Sequence, residues 1–318
     1  MSPAARPAAS PGTRPGASPG TGPAPVDPGL RHRLAERGVD ARLLLLVPGL
    51  VFVLGLFVYP FLYGLGLSFQ PARGGGPFAD YQRFFSDTFQ RDTIGKTLWL
   101  AVPAALFNVL ASVPVAYRMR GRFRGKRLLT TVLVVPITLG TVLTAEGLLN
   151  FLGPAGWLNR ALLGLGLVDE PVGLIQNYWG VFFSLVISGF PFAFLLILSY
   201  LSGIDPTLER AAATLGAGWW QRFRRVTLPL LVPGLATTFC LTFVLAFSVF
   251  PSAYLVGDPT GETRVISIAA YEAAYQANDY PFGSTIAMIM GAVELAVIGV
   301  VLLWRSRFYV GTTGGKGA

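Results

Sequence analysis

The chain has 318 residues, 53% of them hydrophobic and only 13% charged, with a mean hydropathy of +0.56. An ordinary soluble domain carries about 25% charged residues, so this composition excludes a typical soluble enzyme and points to the membrane. The formal charge of +9 fits cationic loops on one face of a membrane better than it fits a nucleic-acid partner.

Residues 1–41 form a Pro/Gly/Ala-rich tail with little apolar surface to bury, predicted to be disordered and cytoplasmic. It makes a poor signal peptide, because the first apolar run starts only at Leu43 and is too long for a signal core. The single histidine, His32, lies in this tail. That argues against serine–histidine catalysis, and with the single cysteine, Cys240, it excludes an internal disulfide or a Cys/His zinc site.

Six apolar stretches follow, at 43–69, 97–117, 128–152, 178–201, 230–256 and 284–304. Even the shortest reaches roughly 32 Å as a helix, enough for a hydrocarbon core of about 30 Å. Lipid cannot satisfy backbone polar groups, so spans of this length are predicted to be helices. Pro48, Pro60, Pro103, Pro114 and Pro136 are tolerable in that setting. A six-helix domain over 42–310 then ends in a short flexible tail, 311–318.

Basic residues set the orientation. With the N-terminus inside, the tail, the Arg118–Arg127 run, the loop after helix 4 (Arg210, Arg222, Arg224, Arg225) and the C-terminus all face the cytoplasm. The alternate loops keep only Arg73, Arg83, Arg91, Lys96, Arg160 and Arg264, together with most of the acids. The positive-inside rule therefore predicts N-in and C-in. The Arg118–Arg127 run reads as a topogenic and lipid-headgroup cluster.

The loop 202–229 carries the most information. Asp205 is a good N-cap and Pro206 suits the first helical position. A short helix is predicted over 206–215, ended by Gly216 and Gly218. A second short segment, 219–227, leads into helix 5. Ala211, Ala212, Ala213, Gly216 and Ala217 are small, whereas Trp219, Trp220 and Phe223 are large and sit beside arginines. Two readings fit: an interfacial anchor in the headgroups, or a docking surface for a cytoplasmic partner.

This loop resembles the EAA signature of permease subunits of binding-protein-dependent ABC importers, roughly Glu-Ala-Ala, three residues, Gly, nine residues, Ile-x-Leu-Pro. Aligned on Gly216, Ala211 and Ala212 match the alanines and Val226-Thr227-Leu228-Pro229 completes the tail. The signature Glu falls on Arg210, and the nearest acid, Glu209, lies one residue early. The resemblance covers about 40–310. It implies an all-α integral membrane protein of six transmembrane helices with the type I importer permease (MetI-like) architecture, in the inner membrane of a bacterium. It also implies a coupling loop whose residues include Glu209, Arg210, Ala211, Ala212, Gly216, Ala217, Phe223, Leu228 and Pro229. The implied partners are ABC ATPase subunits, a second permease (identical or not), an extracytoplasmic solute-binding protein and membrane lipid. No catalytic residue, metal or cofactor is implied here, since ATP is bound by a separate subunit. The absence of a Gly-x4-Gly-Lys-Ser/Thr loop agrees with that.

The region around Phe250-Pro251-Ser252-Ala253-Tyr254 and Asn278-Asp279-Tyr280-Pro281 is similar to the spermidine/putrescine branch, which implies a polyamine-like cation. Sugar or glycerol-phosphate uptake by the same machinery is the alternative, and an integral membrane enzyme or a stand-alone carrier is the alternative of another class. Glu146 and Glu294 fall within spans. A carboxylate at a helix centre costs at least about 2.5 kcal/mol, so it faces protein or water. They are candidates for the solute path, with Asn108 and Asn150 beside them. Hydrogen bonding between helices is the other role open to all four. The acids Asp258, Glu262, Glu272 and Asp279 are expected on ordinary solvated loops; contact with the binding protein is the other role open to them.

Overall fold

The computed structural model describes residues 47–121 and 125–308, apart from the side chains of Lys126, Val134, Arg307 and Phe308. The predicted tails 1–41 and 311–318, with His32, lie outside the described residues, as do Arg122 and Arg124 of the basic run. Contacts divide the chain into two units, Met1–Pro60 and Phe61–Ala318. In the first, α1 is described from Val47, widens into a π-helical turn over Leu54–Val58, and exposes its apolar side chains; the helix ends at Leu67.

In the second unit the remaining elements are all helical among the described residues. They are α2 (Ala79–Ser86), α3 (Thr88–Met119), α4 (Lys126–Leu152), α5 (Trp157–Gly164), α6 (Tyr178–Gly203), α7 (Pro206–Thr214), α8 (Trp219–Phe247), α9 (Pro251–Leu255), α10 (Ile266–Tyr271) and α11 (Tyr280–Phe308). Six helices are long and apolar enough to cross a membrane: α1, α3, α4, α6, α8 and α11. Each overlaps one of the six predicted stretches.

Helix α3 is the centre of the bundle and packs most extensively on α6, then on α8. Asp87 caps it by accepting the Phe89 amide at 2.9 Å. The face it buries is built from small residues, Ala101, Ala104, Ala105, Asn108, Ser112 and Ala116. Such residues let helix backbones approach closely where lipid supplies no hydrophobic drive. Larger side chains close the seam at both ends. Phe84, Phe243, Phe247 and Ile286 cluster near the N-terminal end of α3, and Phe194, Ile197, Leu201 and Leu231 near its C-terminal end.

Two spans depart from the sequence reading. Helix α4 is interrupted at Gly140, whose φ of 72° is left-handed, four residues beyond Pro136. Helix α8 ends at Phe247 rather than at 256. Pro251 has no N–H with which to continue a helix, and it opens α9 instead. The apolar residues after it do not cross a membrane. They fold back onto the bundle, where Val256, Val265, Ile266, Ile268 and Ala269 are buried. Their backbone is satisfied internally: the Ile266 amide donates to Thr97 Oγ1 at 2.9 Å, and Ser267 Oγ donates to the Val249 carbonyl at 2.5 Å. The Ser184 hydroxyl reaches Ser252 at 2.7 Å.

The acids expected on solvated loops are mostly engaged at this end of the bundle. Asp279 is buried, accepts from Arg83 at 2.9 Å, and takes the Phe282 amide at 3.2 Å at the start of α11. Arg83 also lies 3.8 Å over the Phe282 ring. Arg264, only 3% exposed, pairs with Glu272 at 2.7 Å and stacks over Phe89. Asp258 accepts the Thr260 and Gly261 amides and shapes its own turn. Of the four, Glu262 is left exposed without such a role. Asp80 is buried beside this group with one oxygen lacking a hydrogen-bond partner. Burial and the neighbouring Asp279 charge push its carboxyl above the ordinary carboxylate value, against the pull of Arg83 and Arg73.

Two expected outcomes follow from this packing. A Cβ on Gly189 would collide with Asn108 Nδ2, so Gly189→Ala should destabilise the chain by about 1–3 kcal/mol, as overpacking does. Asn108→Ala in the same chain should recover part of that loss, read as a non-additive double-mutant cycle in thermal unfolding. A carboxyl whose folded pKa is raised binds its proton more tightly in the folded state, so its stabilisation fades as pH rises through the raised value. Asp80→Asn should therefore raise the thermal midpoint at neutral pH, and the gap from wild type should close as pH falls toward the ordinary carboxylate range.

Candidate functional site

The loop between α6 and α8 is the most differentiated local structure among the described residues. Asp205 accepts the Thr207 amide at 2.8 Å, and Pro206 occupies the first turn of α7. That amide bond, more than any other influence, holds the Asp205 carboxyl below its ordinary value. The helix ends in a Schellman turn: Ala217 N–H donates to the Ala212 carbonyl at 3.1 Å, and Gly216 N–H to Ala213 at 3.0 Å. Gly216 sits at φ 82°, the left-handed region that glycine enters without a Cβ penalty. Gly218 N–H then donates to Gln221 Oε1 at 3.2 Å and opens α8.

The segment 219–227, expected to lead into helix 5, is continuous with it. It is the first part of α8, joined to the rest by a π-helical turn over Phe223–Thr227. In that wide turn Leu228 N–H reaches the Phe223 carbonyl just before Pro229, which has no N–H to give.

Glu209 and Arg210 point to different surroundings. The Glu209 carboxylate accepts from Arg120 Nη1 at 2.8 Å, from Thr227 Oγ1 at 2.5 Å and from Tyr117 Oη at 3.3 Å. Arg120 also donates to the Ile204 carbonyl. Arg210 is exposed. Over this ion pair lies an aromatic layer in which Phe223 packs on Tyr117 at 5.1 Å, on Trp220 at 5.7 Å and on Trp219 at 6.3 Å. A cleft of about 1090 Å³ runs alongside, between the end of α3 and the start of α8.

Other loop residues divide by exposure. Ala211, Gly216 and Pro229 are exposed; Ala212, Ala217, Phe223 and Leu228 are half-buried. Leu215 is 87% exposed at the tip of the turn, and both tryptophans are 58% exposed. Arg120, Tyr117 and Thr227 were not singled out from the sequence. Arg120 was one of many arginines in the run read as topogenic, and its partner lies in another loop.

The four residues considered for a solute path fall in three places. Asn108 is buried between α3 and α6, where its Nδ2 donates to the Leu185 carbonyl at 3.2 Å and Ser112 Oγ donates to its own carbonyl at 2.6 Å. That geometry matches the helix-bonding role. Glu146 and Asn150 share an exposed face of α4, with Asn150 Nδ2 donating to the Glu146 carbonyl at 2.9 Å. Glu294, half-buried on α11, accepts from Ser248 Oγ at 2.6 Å where α8 stops. Among the described residues, no three His, Cys, Asp or Glu side chains cluster closely enough to hold a metal.

Comparison with known proteins agrees with this architecture. Residues 108–309 match the family described as binding-protein-dependent transport system inner membrane component. A probable sulfate transport system permease protein cysT of Prototheca wickerhamii is 32% identical over 205 residues, covering 64% of this chain and 76% of that one. The spermidine/putrescine permease PotB of Haemophilus influenzae is 26% identical, covering 78% and 87%. The trehalose/maltose permease MalF of Thermococcus litoralis is 28% identical, covering 89% and 99%. In fold, the chain superposes on a subunit of a bacterial alginate ABC transporter solved with its alginate-bound periplasmic protein. The TM-score is 0.75, with 23% identity over 89% of this chain and 99% of that one. The chain belongs to the family of binding-protein-dependent transport system inner membrane components: it is a multi-pass permease subunit of an ABC importer, not an enzyme.

Proposed function

We propose that loop 202–229 is the surface through which a separate ATPase subunit drives this permease, and that the loop and both termini are cytoplasmic. The observation that carries this reading is the construction of α7. It is capped at both ends and offers Arg210, Ala211 and Leu215 outward, while Glu209 and the small Ala212 are turned back to the bundle. An apolar tip as exposed as Leu215 has no packing role within this chain, and small side chains beside it let a partner's backbone come close. The headgroup-anchor reading accounts for Trp219 and Trp220 but leaves the stiff, doubly capped helix without a purpose. Membership of a binding-protein-dependent family supports an extracytoplasmic binding protein as a further partner, and a second permease is proposed beside it.

The solute path lies along the face of α4 that carries Glu146 and Asn150. Lipid cannot solvate an exposed carboxylate within a span, at a cost of at least about 2.5 kcal/mol. That face therefore meets water or the second permease. Glu294 is the next candidate. Two carboxylates within spans favour a cationic, polyamine-like solute and disfavour an oxyanion such as the one named for the 32% relative. The sugar alternative keeps its own support, since the trehalose/maltose permease matches almost the whole of its length.

Two experiments test these points. Gly216→Val forces a branched side chain into a left-handed position and should abolish co-purification of the ATPase subunit while leaving six-helix insertion intact. Retention of the ATPase at wild-type levels would contradict the docking role. Glu146→Gln should lower uptake at limiting solute about tenfold, the effect of losing ~1.4 kcal/mol. Unchanged uptake would remove Glu146 from the path. Titration of the cognate binding protein with putrescine, spermidine, maltose and sulfate discriminates the solute classes.

A further inference from the structure

Helix α7 contributes no buried residue, so hydrophobic packing does not fix it to the membrane bundle. What fixes it is polar. Glu209 takes hydrogen bonds from Arg120 and Tyr117 at the end of α3 and from Thr227 in the wide turn of α8. Arg120 spends a second donor on the Ile204 carbonyl just past α6. One carboxylate–guanidinium pair thus joins the ends of α3 and α6 to α7 and α8. The pair is only 13% and 18% exposed, and the aromatic layer of Tyr117, Trp219 and Phe223 lies against it. Charges sheltered in this way interact far more strongly than a pair in open water.

We infer that the Arg120–Glu209 pair is the joint that transmits displacement of α7 to α3, with Arg120, Tyr117 and Thr227 as its positioning residues. Helix α3 is suited to receive it. Arg120 directly follows this continuous 32-residue helix, which packs on both α6 and α8. A load on α7 therefore reaches the centre of the bundle through one short polar contact, while the Schellman turn at Gly216 leaves the tip free to bind. The departure from the EAA pattern, with Arg at the signature Glu position and an acid one residue earlier, acquires a reason. The acid at 209 faces inward to Arg120, and Arg210 is left on the outer face.

The inference rests on the docking role proposed for the loop, and its test separates the two. In vesicles containing the assembled transporter, Arg120→Gln should leave ATPase co-purification and ATP hydrolysis within about twofold of wild type. Solute uptake per ATP should fall about tenfold, with the solute KM unchanged. The exchange Arg120→Glu with Glu209→Arg should recover uptake per ATP to within about threefold of wild type. Thr227→Val and Tyr117→Phe, which remove one neutral donor each, should give smaller losses and guard against a folding defect in the charge variants. Wild-type uptake per ATP in Arg120→Gln, or an exchange variant no better than the single changes, would overturn the joint. If the wild-type chain retains no ATPase, the docking role fails. The joint is then read in the purified chain by hydrogen exchange: the amides of residues 208–214 should exchange about tenfold faster in Arg120→Gln, and equal rates would overturn it.

Discussion

Lipid cannot hydrogen-bond a peptide backbone, and this one constraint organises the chain. It turns every apolar run into a helix long enough to span, and it decides where irregular backbone can stand. The break after Phe247 is tolerated because the segment that follows is buried against α3 and α6, with side-chain hydroxyls of Thr97 and Ser267 completing its hydrogen bonds. The interruption at Gly140 lies in α4, the span that also carries the exposed Glu146. The central seam obeys a related rule. With no hydrophobic gain from leaving lipid, α3 and α6 approach in mid-seam through small residues and a buried asparagine, with larger side chains toward the ends.

At the two ends of the bundle, charge does what apolar burial does in a soluble core. Arg83 with Asp279 and Arg264 with Glu272 tie the segments before α10 and α11 to α2 and α3. At the other end Arg120 with Glu209 ties α7 to α3. Each pair is sheltered on at least one side, so each acts as a geometric constraint more than as a surface ion pair. The difference lies in the load. The first two pairs close loops that are themselves packed, whereas α7 has no buried side chain and depends on its pair.

Much of this was legible in the residues. The six spans follow from length and hydropathy, and the bounds of α7 follow from Asp205-Pro206 and Gly216, since capping chemistry is local. Three things were not legible, for related reasons. The run 230–256 reads as one span because hydropathy does not distinguish residues that face lipid from residues folded back into protein. Arg120 lies 89 positions from Glu209 and Arg83 lies 196 from Asp279, so no local pattern marks either pair. The place of Asn108 in the α3–α6 interface, with Gly189 opposite, is set by residues 81 positions away that no local pattern marks.

The central claim is that this permease moves solute only when another subunit pushes on loop 202–229. Its most direct test is solute accumulation in sealed vesicles that hold the purified chain with its binding protein, with and without the ATPase subunit. Accumulation should require both the ATPase and ATP, and should be absent from vesicles lacking either. Equal rates of solute movement through the chain without the ATPase would contradict the claim.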